Sequence, residues 1–464
     1  MQVTETLSQG LKREFKVVFA ADELLARLDE QIAELKQKVR LNGFRPGKVP
    51  TAHLKKVYGR SVMAEVVQNA VSEANRKIIE DNGLRLALEP QVNLPEDNTE
   101  VETVLAAKGD LAFTVAVETL PKIEAGSFED LELERPVSTV GDAEVDTAFD
   151  RLVAQARTYS PRVEPAGAES GDKLTIDFTG TIGGEAFEGG TGNDLEVVLG
   201  SQQFLPGFEE QLIGALPGES RTVTATFPQE YANESLAGRE AEFKVQVKTV
   251  SAPDALTIDD DFAKNYNLES IEQLRNALKT SIEAEHDRLS REKLKRRLLD
   301  ALDARYGFDL PQGLVDQEFA NIWRQVEAEQ KRTGRSFADE DTTEEAARAE
   351  YRKIAERRVR LGLVLAEVGD KAGVKIEDQE VTRALVERAR QFPGQEKAIW
   401  DFYRNNPQAL AELRAPLFEE KVVDHILGLV KVTDVEVTRE ELAKPDPEET
   451  TVPVSAPAEA PPEA

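Results

Sequence analysis

Residues 43–50 read Gly43-Phe44-Arg45-Pro46-Gly47-Lys48-Val49-Pro50. Two glycines and two prolines in eight residues mark a fixed, non-helical turn. Amphipathic helix patterns flank it, so the turn forms a tip on the surface. Between the breakers stand one aromatic and two cations, Phe44, Arg45 and Lys48. From Lys36 to Arg60 the chain has eight Lys or Arg and no Asp or Glu. The 464 residues carry −29 in all, so the remainder carries −29 − 8 = −37. A cation cluster on so acidic a body suits a polyanionic or acidic partner that meets the tip and is repelled elsewhere. The plainer reading is a solvated basic face. A phosphate-binding P-loop ending at Gly47-Lys48 is not expected. Its spacing from Gly43 is one residue short, and Val49 stands where Ser or Thr would hold magnesium.

A chain of 464 residues is too long for one core, and two to four domains are expected. No run approaches 18 apolar residues, so no membrane span is expected. Met1-Gln2-Val3-Thr4-Glu5 lacks the basic and apolar regions of a secretory leader. Cysteine is absent, which excludes disulfides and thiol catalysis and fits a cytoplasmic location. His53, His286 and His425 are scattered, so no metal site is expected, and no motif calls for a cofactor.

Residues 1–112 read as a small α+β domain. Phe15, Val17 and Phe19 share one face of a strand over 14–20. Asp22 is placed to cap a helix reaching Leu41. A short helix, 51–57, and a longer one, 61–82, follow the basic turn, and Asn82-Gly83 ends the second. Strands at 84–88 and 111–118 complete a sheet. Residues 113–149 read as a connector with a helix from Ala143. Residues 150–250 carry many short strands around one short helix, which makes an antiparallel half-barrel. Gly183-Gly184 suits a hairpin turn, and Gly189, Gly190 and Gly192 suggest a loop. Residues 251–432 are almost wholly helical, with narrow apolar stripes that suit arms as well as a bundle. Residues 433–464, rich in Pro, Glu and Ala, read as a disordered acidic tail.

The half-barrel contains Asp177-Phe178-Thr179-Gly180, Phe187-Glu188-Gly189, Leu199-Gly200 and Leu205-Pro206-Gly207-Phe208-Glu209. This order resembles the FK506-binding-protein (FKBP) type of peptidyl-prolyl isomerase over roughly 80 residues. The resemblance implies a pocket of Phe178, Phe187, Glu188, Leu195, Phe204, Leu205, Phe208, Tyr231 and Phe243. Of these, Phe178, Phe187, Glu188, Leu205, Phe208, Tyr231 and Phe243 are the candidate catalytic positions. The small FK506-binding proteins have Asp and Trp where this chain has Glu188 and Phe208. Rotation about an X-Pro bond needs no nucleophile, metal or cofactor.

The basic octapeptide resembles the ribosome-docking signature of the trigger factor family, Gly-Phe-Arg-x-Gly-x-x-Pro. Gly43, Phe44, Arg45, Gly47 and Pro50 match its fixed positions, and Pro46 and Lys48 lie within it. The family also has both changes at 188 and 208. This resemblance implies a multidomain α+β chain: a ribosome-binding domain, an FKBP-like half-barrel and a largely α-helical C-terminal chaperone domain. It implies a path for the connector along the helical domain. It implies an ATP-independent chaperone that meets an exit-tunnel protein and ribosomal RNA of the large subunit, with nascent and unfolded polypeptides as clients. Neither membrane nor nucleotide is an expected partner, and a homodimer off the ribosome is allowed. Phe319, Ile322, Trp323 and Trp400, with Phe392, Phe402 and Tyr403, are candidate client contacts. Two other readings stay open: a free isomerase and holdase without ribosome docking, and a nucleic-acid-binding protein.

Overall fold

A computed structural model describes residues 1–39, 44, 49–95, 97–162, 166–229, 236–334, 336–337 and 342–445, with the side chains of Asn98 and Glu188 outside it. The chain divides into two compact units, residues 1–136 with 290–464, and residues 137–289.

The first unit begins with β1 (Gln2–Gln9), β2 (Lys12–Phe19), α1 (Ala21–Lys38), α2 (Thr51–Asn82), β3 (Gln91–Asn93), α3 (Asn98–Leu105) and β4 (Leu111–Glu118). The strands form an antiparallel sheet in the order β1-β2-β4-β3. Period-2 alternation puts Phe15, Val17 and Phe19 of β2 and Leu111, Phe113, Val115 and Val117 of β4 on the buried face. Leu24, Leu28 and Ile32 of α1 and Met63, Val66, Ala70 and Ile78 of α2 close that core.

Four expectations change here. Residues 51–82 form one helix of 32 residues rather than two, because Leu54 before Gly59 and Val62 after it are held in one core. Asp22 does not cap α1; it lies in the first turn, and the Ala21 amide donates to Asp110 Oδ1 at 2.8 Å. Residues 84–88 make only a single bridge, Leu86 to Thr119, while β1 and β3 supply the other two strands of the sheet. A domain boundary at 112 would cut β4, which pairs with β2 from Leu111 to Glu118. The helix end is as expected: Gly83 adopts φ +57° and stops α2.

β5 (Glu132–Val137) leads to the second unit, with α4 (Asp142–Ala156), β6 (Tyr159–Pro161), β7 (Lys173–Ile182), β8 (Glu185–Val198), β9 (Ser220–Thr226), β10 (Glu240–Pro253) and α5 (Asp260–Lys264), then the start of α6 (Ile271–Arg305). All sheet pairings are antiparallel. β10 pairs with β7, which pairs with β8, and β9 and β6 also pair with β10. Leu174, Ile176, Val197, Leu212, Val223, Val245 and Val247 fill the interior. Gly183 and Gly184, at φ +60° and +89°, make the two-residue turn between β7 and β8. The glycines expected in a loop lie within β8, where the pairing with β7 shifts between Thr179 and Thr181. Phe149 and Val153 of α4 share a separate core with Phe262 and Leu274. The stretches 142–156 and 260–278 therefore fold together, whereas the sequence places 142–149 in the connector, 150–156 with the half-barrel and 260–278 in the helical domain.

The first unit resumes with the rest of α6, then α7 (Gln312–Thr333), α8 (Glu344–Ala372), α9 (Asp378–Arg390), α10 (Glu396–Asn405), α11 (Pro407–Leu427), β11 (Lys431–Glu436) and α12 (Arg439–Ala443). Leu298 and Leu302 of α6, Val364 and Val368 of α8, and Val422 and Ile426 of α11 form its core. Ile123, Phe128 and Leu133 are buried in the same core, so the connector runs along these helices. α7 with α8, and α9 with α10, hold smaller cores of their own. The start of the expected tail is ordered: β11 pairs with β5, Arg135 grips Asp434 through two bonds of 2.6 and 2.8 Å, and Leu442 is buried. Residues 446–464 lie outside the described residues.

Candidate active site and docking surfaces

β7, β8, β10 and the segment 204–208 bring the candidate aromatics together. Phe243 is the hub. Phe178, Phe187 and Phe208 meet its ring at centroid distances of 6.0, 6.3 and 5.4 Å, with interplanar angles of 64°, 87° and 85°. Phe204 stacks on Phe208 at 5.6 Å, and Phe227 meets Phe187 edge-on at 5.9 Å. Edge-to-face packing is the favoured arrangement for such rings. Phe208 and Phe243 are buried, whereas Phe178, Phe187, Leu195, Phe204 and Leu205 are half-buried. The result is an apolar floor with a partly open rim. Two glycines make room for it. A Cβ on Gly192 would stand 2.5 Å from the Phe178 ring, and one on Gly180 would stand 2.7 Å from the Phe243 ring. Tyr231 and the Glu188 side chain lie outside the described residues.

Polar groups fix the frame around the rings. Asp177 accepts from the Asp194 amide at 2.8 Å and pairs with Lys248 at 2.7 Å. The Lys248 ammonium, then the Asp194 amide, hold its carboxyl below the usual aspartate range. Asp194 itself has φ +54° beside the irregular part of β8. Glu209, six per cent exposed, receives four backbone amides and one hydroxyl from residues 200–204. The motif reading included Glu209 without giving it a part. Its place next to a glycine- and glutamine-rich turn was the only sequence signal for it.

At the basic tip, Phe44 is 38% exposed and its ring lies 5.4 Å from that of His53. Val49 is buried, and Pro50 precedes the first turn of α2. Gly43, Arg45, Pro46, Gly47 and Lys48 lie outside the described residues. The charge of the stretch is partly compensated: Lys55 pairs with Asp29, and Arg60 with Glu102 at 2.5 Å.

Residues 1–152 match the family described as bacterial trigger factor protein, and residues 270–428 match the C-terminus of bacterial trigger factor. Residues 164–248 match the FKBP-type peptidyl-prolyl cis-trans isomerases. The trigger factor of Methylocella silvestris is 63% identical over 443 residues, covering 95% of this chain and 96% of that protein. This chain belongs to the trigger factor family. Trigger factors of Methylobacterium sp. (strain 4-46) and Rhodopseudomonas palustris are 59% and 54% identical, each over 97% of this chain and over 93% and 100% of their own lengths. A solved trigger factor chaperone, described for promiscuous substrate recognition in folding and assembly, shares the fold. Its TM-score is 0.52 at 20% identity, over 92% of this chain and 99% of that one. As a trigger factor, the chain is a ribosome-associated chaperone acting on nascent chains, and its middle domain is a peptidyl-prolyl cis-trans isomerase.

The candidate client residues separate into two groups. Ile322 and Trp323 are buried, which corrects their reading as exposed contacts. Trp323 lies between Phe319 and Phe337 at 5.8 and 5.5 Å, Arg348 covers its face at 4.1 Å, and its Nε1 donates to Glu327 at 2.8 Å. Helical spacing placed these side chains on one face but left open whether α8 covers that face. Trp400 and Phe402 of α10 are exposed, while Phe392 and Tyr403 pack on Leu385 and Ile399. Among the described residues no helix is long and apolar enough to cross a membrane, and no cluster has the makings of a metal site.

Proposed function

We propose that residues 43–50 dock this trigger factor on the large ribosomal subunit at the exit tunnel, through a ribosomal protein and the adjacent ribosomal RNA. There it shields emerging apolar segments without ATP, and exposed aromatics such as Trp400 contact them. The exposure of Phe44 on the tip between α1 and α2 carries this reading. An exposed aromatic serves as an anchor for a protein surface, while Arg45 and Lys48, its neighbours in the sequence, are residue types that suit phosphate. The acidic remainder keeps the body off ribosomal RNA. The protein works in the cytoplasm, where a cysteine-free chain is at home, and sedimentation velocity of the free protein decides between monomer and homodimer off the ribosome.

The isomerase step follows from the ring geometry. An X-Pro bond resists rotation by about 18–20 kcal/mol because its amide resonance must be lost. The planar amide is the more charge-separated state, so an apolar floor of Phe208 and Phe243 disfavours it relative to the twisted one. Phe178, Phe187 and Leu205 at the rim exclude water from the bond. The motif resemblance adds Tyr231 and Glu188 to the candidate site, with a backbone amide or the Tyr231 hydroxyl as the donor to the substrate carbonyl. Each tenfold of rate needs about 1.4 kcal/mol of such preference, so a few contacts suffice.

A photo-crosslinking side chain at position 44, in the full chain mixed with ribosomes, tests the docking. A crosslink to a large-subunit protein is the expected result. No ribosomal crosslink would favour a free isomerase and holdase, a reading that draws on the pairing of Lys55 and Arg60 with acids.

A further inference from the structure

We infer that Glu209 is a positioning residue of the isomerase, whose carboxylate shapes the turn 200–204 and thereby places Phe204 and Leu205 at the rim. This rests on the isomerase reading of the aromatic site. Oε2 accepts from the amides of Gly200 and Gln202 at 2.8 and 3.0 Å. Oε1 accepts from the amides of Gln203 and Phe204 at 3.0 and 3.3 Å and from Ser201 Oγ at 3.1 Å. The remaining amide of the turn, that of Ser201, bonds to the Val198 carbonyl at 3.2 Å. One carboxylate thus gathers four of the five amides of residues 200–204 into a concave nest.

That turn would not keep its shape unaided. Gly200 has φ +89° and Gln202 has φ +57°. A left-handed residue other than glycine persists only where its surroundings hold it. Glu209 is also tied to the floor, since it follows Phe208 directly. Phe208 donates its amide to the Leu205 carbonyl at 3.0 Å, stacks on Phe204 and meets Phe243 edge-on. Residues 200–209 therefore close on themselves, with the carboxylate inside and the rim residues outside. Glutamine at 209 would keep the size but turn an NH2 towards two of the amides. The rim would then shift while the strand core stays packed.

The test compares full-length wild type with Glu209→Gln, Ser201→Ala and Asp172→Asn. Asp172 is the control: it too is buried in the domain, but its carboxylate holds Arg162 and the Glu169 amide. The readouts are KM and kcat on an Ala-Leu-Pro-Phe peptide, the amide chemical shifts of residues 200–204, and the unfolding temperature. For Glu209→Gln, KM should rise about tenfold with kcat within about twofold, and the Gly200, Gln202, Gln203 and Phe204 amides should move upfield. Ser201→Ala should raise KM about two- to threefold. Asp172→Asn should lower the unfolding temperature and leave KM alone. Unchanged KM in both loop variants of an active enzyme overturns the inference, as does an equal rise in Asp172→Asn. If Glu209→Gln does not fold, unchanged KM in Ser201→Ala overturns it alone. An inactive wild type would remove the isomerase reading itself, and the inference with it.

Discussion

Gly192 and Gly180 lack side chains at the places where the Phe178 and Phe243 rings lie against the backbone. A methyl group at either position would push a ring out of the cluster. Gly192→Ala should therefore destabilise the isomerase domain by about 1–3 kcal/mol and lower isomerase activity more than it lowers chaperone activity. Calorimetry and a peptide isomerisation assay on one preparation check this, and a variant with unchanged melting and rate would contradict it. At this scale the sequence was most legible where a motif names the residue. The aromatics announced themselves by their order among glycines and turns, and the structure brings Phe178, Phe187, Phe208 and Phe243 together. The reason for the glycines was not legible. A glycine at ordinary φ looks the same in sequence whether it fills a loop or makes room for a distant ring. Ile322 and Trp323 failed for a related reason, because the cover over a helix face comes from another part of the chain.

The longest elements show where local preference gives way to packing. Gly59 lowers helix propensity within the first third of α2, and sequence alone predicts a break there. Apolar residues on both sides bind one core, so the helix continues through it. Nothing stands within 4 Å of a Cβ on Gly59. Gly59→Ala should accordingly raise the stability of the N-terminal domain by about 0.5–1 kcal/mol, read as a higher denaturant midpoint with the same slope. Gly369 of α8 is the opposite case, since the Phe418 and Val422 side chains of α11 occupy the space beside it. Gly369→Ala should loosen the seam between α8 and α11 and lower the melting temperature. Strands were harder to read than helices. β1 is exposed along nearly all its length, so it has little alternation to betray it. β11 is exposed throughout and forms by pairing with β5, about 300 positions earlier in the chain.

On the scale of the whole molecule, the N-terminal and helical parts of the first unit are joined by charge and shape. Glu118, at the end of β4, accepts from the Gln312 and Gly313 amides at 2.7 and 2.8 Å and so caps α7. Leu88 fills the place of a side chain at Gly313. Arg85 reaches Glu367 at 3.0 Å. Arg85, and then Lys371, hold the Glu367 carboxyl below its usual range, against the opposing effect of burial. A carboxylate with a depressed folded pKa stabilises the joint above its unfolded pKa and loses that contribution as pH falls through the folded value. The joint should therefore begin to loosen below about pH 4.3. Energy transfer between labels at positions 93 and 378, on cysteines introduced into this cysteine-free chain, would follow it. Glu367→Gln should flatten the acid transition, and an unchanged transition would contradict the assignment. The domain order was legible because each stretch has its own periodicity. The boundaries were not, because β4, α4 and the start of α6 pack with neighbours that the sequence places in other segments.

Chaperone and isomerase activities should also separate at this scale. With no nucleotide present, the chain should suppress aggregation of an unfolded client that contains no proline, and Phe208→Ala should abolish isomerisation while sparing most of that suppression. Loss of both together would tie the two functions to one surface.

Ribosome docking is the central claim, and co-sedimentation with ribosomes over a range of salt tests it most directly. Wild type is compared with the triple variant Phe44→Ala/Arg45→Ala/Lys48→Ala. Wild type should pellet with ribosomes at low salt and release as salt rises. The triple variant should stay in the supernatant with its isomerase activity intact. Equal pelleting of the two proteins, or none by either, would contradict docking through residues 43–50.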